Sequence, residues 1–171
     1  MATILVVDDR APNREFMTTL LGYSQHRVLG AVDGSEALDI ARAERPDLVI
    51  TDLLMPRMGG FELVKRMRAD PLLASTAVII CTATYIFCAR KKSERIEMAR
   101  IHQLAKECGV EYLLGKPSEP EVILETVAKA LGEVQAASDL LTGSNVIAFP
   151  PTNGSIEQLA LPLPFNPVSN P

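Results

Sequence analysis

The sequence predicts an α/β fold, a doubly wound parallel sheet with helices on both faces. Three observations predict it. Short aliphatic and β-branched runs at Thr3–Val7, Arg27–Ala31, Leu48–Thr51, Ala77–Cys81 and Glu111–Leu114 have the length and composition of strands. Most of these runs are apolar throughout rather than alternating, as strands covered on both faces must be. Helix-patterned segments separate consecutive strands, which calls for right-handed parallel crossovers.

Each helix has its own signals. Asn13–Tyr23 follows Pro12, a residue suited to the first turn. Glu36–Glu44 follows Asp33-Gly34-Ser35, with Ser35 as the expected N-cap, and stops before Pro46 because the residue ahead of a proline resists the helical region. Phe61–Arg68 follows Gly59-Gly60 and ends near Asp70-Pro71. From Ile86 to Cys108 there is no Pro or Gly, and Ile101, Leu104, Ala105 and Cys108 form an apolar stripe at helical spacing, so a long fourth helix is expected before Gly109. Glu119–Leu131 is the last helix. Five strands so connected fit the flavodoxin-like order 2-1-3-4-5. There is no internal repeat.

The composition changes after Gly132, which divides the chain into a domain at 1–132 and a Pro-rich apolar tail at 133–171. Six of the twelve prolines lie in those 39 residues, which rules out long helices and central strands there. Leu140, Leu141, Val146, Ile147, Phe149, Leu159, Leu161, Leu163 and Phe165 nevertheless make the tail too apolar for an ordinary disordered segment. Two readings stand: a linker to something beyond, or an arm that docks on its own domain or on a second copy. The tail is too short for a DNA-binding output domain.

Net charge is −4, of which Glu133, Asp139 and Glu157 in the tail supply −3. No basic block argues for nucleic acid. Cys81, Cys88 and Cys108 are odd in number and lack metal or redox spacing, which favours a reducing compartment. There is no secretory leader and no membrane-length apolar run, so a cytoplasmic protein is expected.

The strand ends carry the chemistry. Ile4–Val7 runs into Asp8-Asp9, Leu48–Thr51 into Asp52, Ala77–Cys81 into Thr82, and Tyr112–Gly115 into Lys116-Pro117. The carboxyl ends of strands in an open parallel sheet share one edge, where ligands bind. Three carboxylates brought together repel one another unless a cation joins them, so the set implies a divalent metal with oxygen ligands. A polar residue ending a strand is common and explains any one position alone. It does not explain this order of four.

The strings ILVVDD, DLVITDLLMPRMGG, VIICTA and GKP resemble the receiver domain of bacterial two-component response regulators, over about residues 2–132. The resemblance implies that Asp52 is a phosphoacceptor, taking a phosphoryl group from a phosphohistidine to form an aspartyl phosphate. It implies Mg²⁺ held by Asp8, Asp9, Asp52 and the backbone carbonyl of Leu54. It assigns Thr82, Ala83 and Lys116 to phosphoryl binding and switching, and Pro117 to a turn whose preceding peptide bond is typically cis. The implied partners are a histidine kinase or histidine phosphotransfer protein upstream. Downstream they are a protein target or a second copy, engaged through the face from the fourth to the fifth helix. Neither nucleic acid nor membrane is expected.

Three departures bear on output. Leu54 and Thr84 occupy the positions that tune loss of the phosphoryl group, and Leu54 cannot orient water. The aromatic usually found three residues before the lysine is Leu113; Tyr112 lies one residue earlier and should face the other side of the sheet. Either that strand slips by one, or Tyr85 substitutes, or signalling takes another route. Finally, 34 positions separate Thr82 from Lys116, roughly a dozen more than the family pattern, enlarging the fourth-helix region. Its Arg90, Lys91, Lys92, Arg95 and Arg100 are either a solvated face or a partner surface.

Four other readings bear on the same residues. A haloacid-dehalogenase-type phosphatase also uses a strand-end Asp, but it needs a second Asp where this chain has Leu54. No phosphate loop or nucleophile–His pairing suggests turnover of a diffusible substrate, so no enzyme of that kind is expected. A phosphorylation-independent interaction module of the same fold, and the N-terminal receiver of a hybrid histidine kinase, are the alternatives.

Overall fold

The computed structural model describes residues 1–83, 92–133 and 146–149. Five parallel strands alternate with five helices. They are β1 (Thr3–Val7), α1 (Ala11–Tyr23), β2 (Arg27–Ala31), α2 (Gly34–Glu44), β3 (Leu48–Asp52), α3 (Gly60–Ala69), β4 (Ala77–Ala83), α4 (Lys92–Glu107), β5 (Tyr112–Lys116) and α5 (Pro120–Ala130). The sheet order is β2-β1-β3-β4-β5-β6, so the expected order 2-1-3-4-5 holds but the expected count of five strands does not. The sixth, β6 (Val146–Ala148), comes from the Pro-rich tail and runs antiparallel to β5. A strand just ahead of Pro150-Pro151 was not legible from composition: its three residues carry no periodicity, and only the open β5 edge gives them a partner.

The sheet divides the core by strand alternation. Leu5, Val7, Val49, Val78, Ile80 and Leu113 point to the side covered by α2, α3 and α4. Ile4, Val6, Ile50, Ile79, Cys81 and Leu114 point to the side of α1 and α5. No helix among the described residues is long and apolar enough to cross a membrane.

Local chemistry sets the ends. The N-cap of α2 is Asp33 rather than Ser35: its carboxylate accepts from the backbone N–H of Ser35 at 2.8 Å and of Glu36 at 2.9 Å. A carboxylate caps better than a hydroxyl here because it takes two orphan donors and adds charge at the positive end of the helix. The same helix closes with Arg45 in the left-handed region, φ 47°, just ahead of Pro46. Helix α4 spans sixteen residues, in keeping with the long fourth helix. Thr84, Tyr85, Cys88, Arg90 and Lys91, and the rest of the tail, lie outside the described residues.

Candidate functional site

Register brings the strand ends together. Val7 pairs with Thr51, Asp52 with Cys81, Thr82 with Gly115 and Ala83 with Lys116. Asp8, Asp9, Asp52 and Lys116 therefore meet at the carboxyl edge, with Thr82 one residue beyond the partner of Asp52. One carboxylate oxygen from each of Asp8, Asp9 and Asp52 lies within 4.8 Å of the others.

Lys116 bridges two of the acids. Its Nζ donates to Asp8 Oδ2 at 2.5 Å and lies 3.1 Å from Asp52 Oδ1. Burial pushes the Asp52 carboxyl above its ordinary value, and the Lys116 charge opposes that without overturning it. Burial works against the Lys116 charge too, but the hydrogen bond to Asp8 and the neighbouring negative charge leave it raised. One ammonium thus partly neutralises a cluster of three carboxylates, leaving negative charge that a divalent cation suits. All the available donors are hard oxygens, which fits Mg²⁺ and not a soft metal.

Asp8 is the most enclosed of the acids, 4% exposed. Asn13 Nδ2 donates to its two oxygens at 3.2 and 3.1 Å, the backbone N–H of Arg10 donates at 2.9 Å, and Arg14 Nη1 holds its carbonyl at 2.7 Å. The first turn of α1 therefore orients this carboxylate. Sequence reading missed Asn13 and Arg14, whose only signal is their place one turn after the acidic pair.

The loop after Asp52 is pinned from two sides. Its Leu53 N–H donates to Cys81 O at 3.0 Å, and the Gly34 N–H donates to Met58 O at 3.1 Å. Asp33 forms an ion pair with Arg57, whose φ is 64°. Gly60 starts α3 against this loop so closely that a Cβ would stand 2.4 Å from Asp52 O, and Gly34 would clash with Met58 in the same way. These contacts were not legible either, because they join segments that are apart in sequence.

Thr82 is buried at 2% exposure, whereas Leu54 is 70% exposed beside the acids. The Lys116–Pro117 bond is cis. Ser118 Oγ donates to Gly115 O and tightens the turn that follows. Leu113 is fully buried on the α4 side, and Tyr112 packs on the α5 side. The Ile80–Leu113 register leaves no slip of β5. Tyr85, the other aromatic candidate, and Thr84 lie outside the described residues. A cleft of about 410 Å³ leads from the acids down between α1 and α5, past Phe16, Met17, Leu114 and Ile123.

Comparison with known proteins agrees with this geometry. Residues 4–128 match the model of the response regulator receiver domain. The chain is 30% identical to protein PilH of Pseudomonas aeruginosa over 131 residues, covering 77% of this chain and 98% of that one. It is also 30% identical over 131 residues to the polar-differentiation response regulator DivK of Brucella anthropi, covering 77% and 97%. Among solved structures, the chemotaxis protein CheY4 of Vibrio cholerae superposes with a TM-score of 0.65 at 32% identity, covering 76% of this chain and 98% of that one.

Proposed function

From the membership of this chain in the response regulator receiver family, a family of signalling modules that work with histidine kinases and downstream targets, we propose that it is a phosphoacceptor switched by modification of Asp52. The observation that carries the reading is the contact of Lys116 with both Asp8 and Asp52 at the mouth of the α1–α5 cleft. A carboxylate at a strand end, with one cation beside it and a second carboxylate oriented for metal, has the parts that phosphoryl transfer needs: a positioned nucleophile and charge neutralisation.

Asp8, Asp9, Asp52 and the Leu54 carbonyl would hold Mg²⁺. Bound there, the ion offsets the negative charge of the incoming phosphoryl group. The rest falls to the chain. An Asp52 oxygen attacks the phosphorus of a phosphohistidine, and the histidine nitrogen leaves. Lys116 passes from carboxylate to phosphoryl oxygen, a move its flexible stem permits. Asn13 and the Arg10 N–H keep Asp8 in place while Lys116 departs. Thr82 turns its hydroxyl to the new phosphoryl group, a contact present in only one state, as a switch requires. Partners then read the changed surface from α4 to α5. Leu113 in place of an aromatic means that the Thr82 movement reaches that surface by another route.

Intact-mass measurement with a small phosphodonor and Mg²⁺ tests this. The parent should gain one phosphoryl group and Asp52→Asn none. Equal uptake by both, or by neither while Mg²⁺ binds, would sink it, and the second result would favour a phosphorylation-independent interaction module.

A further inference from the structure

The β5 edge is closed by the chain itself. In the antiparallel pairing of β6 with β5, Tyr112 lies opposite Ala148, Leu113 opposite Ile147 and Leu114 opposite Val146. Beyond the strand, the Phe149 N–H donates to Glu111 O at 2.8 Å. Ladder alternation then makes Leu113 and Ile147 the next hydrogen-bonded pair. Side chains divide between the two faces of the sheet. Val146 is buried on the α5 side, while Ile147 and Phe149 pack on the α4 side. Phe149 meets the His102 ring edge-on, with centroids 6.4 Å apart at 70°.

The groove therefore reads an extended segment in three ways: main-chain pairing along β5, an aliphatic pocket beside α5, and an aliphatic-then-aromatic pair along α4. This is the logic of strand addition at a sheet edge, where the backbone supplies affinity and alternate side chains supply specificity. The fit of the chain's own segment is incomplete. His102 Nε2 is buried with no hydrogen-bond partner among the described residues, and the strand has only three residues. Twelve residues, 134–145, join it to the domain. A segment carried on the same chain meets the groove in an intramolecular step, so even a weak strand can exclude a weakly binding free competitor.

We propose that the β5 edge with the adjoining flank of α4 is a binding groove for an extended apolar segment of a partner protein, and that Val146–Phe149 occupies it in cis as a built-in competitor. The partner segment would follow the pattern of the chain's own: an aliphatic residue facing α5, then an aliphatic and an aromatic residue facing α4. This rests on the receiver reading only in taking the α4–α5 surface as the output face.

The test uses the unphosphorylated 171-residue chain, so its result is independent of whether Asp52 accepts a phosphoryl group. The parent and the Ile147→Asp/Phe149→Ser variant are titrated with a labelled peptide of residues 144–150. Ile147→Pro, which removes the paired N–H while keeping the apolar surface small, serves as the second released form. Both released variants should bind the peptide saturably, and the parent at least tenfold more weakly. Leu113 amide exchange should be slow in the parent, faster in the variants, and slowed again by peptide. Equal binding by parent and variants would overturn cis occupancy. Absence of binding by folded variants would overturn the groove. A concentration-dependent dimer of the parent, lost in both variants, would assign the groove to a second copy instead and overturn the proposal.

Discussion

Lys116 serves two carboxylates that ask different things of it. It is about one-third exposed at the side chain, so its ion pairs are partly screened and each contributes modestly. Lys116→Met in chelator at pH 7 should lower unfolding stability by about 1 kcal/mol, because Asp8 and Asp52 are left facing one another. Mg²⁺ should then raise the melting temperature more in the variant than in the parent, since a ligand that binds only the folded state stabilises in proportion to its affinity. A smaller Mg²⁺ effect in the variant would contradict this account. Leu54 raises a second residue-scale question. Exposed beside the acids, it offers no hydrogen bond to water. Leu54→Gln should shorten the phosphoaspartate lifetime several-fold, followed as decay of the phosphorylated mass. An unchanged lifetime would remove position 54 from that role. Both residues could be picked out in the sequence, since each stands next to a strand end. Asn13 could not, because nothing marks an Asn in a first turn as aimed at the preceding acid.

At the scale of elements, α4 and β6 depend on each other through His102. Burial holds its imidazole below the ordinary value of 6.5, so the folded state prefers it neutral. The unfolded chain binds that proton more readily. Stability from this contact is complete above about pH 6.5 and declines as pH falls below it. Melting the parent and His102→Leu at pH 7.5 and 5.5 should show a larger acid loss in the parent, with β6 amides losing protection first. Equal losses would mean that His102 is not the group responsible. The long α4 was legible from its stripe and its lack of Pro and Gly. Its covering by β6 was not, because an apolar tail reads alike whether it docks or links.

Across the whole molecule, the acidic edge is separated from a structural end. Opposite the acids, Arg68 gathers four carbonyls, donating to Cys108 O at 3.3 Å, Ala74 O at 3.1 Å, Thr76 O at 2.7 Å and Gly109 O at 2.7 Å. It joins the end of α3 to the start of β4 and to the turn before β5. Arg68→Ala should destabilise by about 2 kcal/mol in denaturant melts, since part-buried acceptors lose their donors, while phosphoryl uptake at Asp52 stays near that of the parent. Loss of uptake in a folded variant would show that the two ends are coupled.

Composition and period determined the class and the gathering of Asp8, Asp9, Asp52, Thr82 and Lys116 at one edge, while the strand order through β5 came with the family resemblance. The class and the gathering follow from local rules: buried strands are continuous apolar runs, crossovers are right-handed, and their ends therefore coincide. Tertiary structure alone decided what lies between distant segments. It paired Asp33 with Arg57 and seated Val146–Phe149 on β5. The reason is common to both. Each depends on which backbone edge or side-chain surface remains open once the sheet has formed, and no local pattern in the chain encodes that.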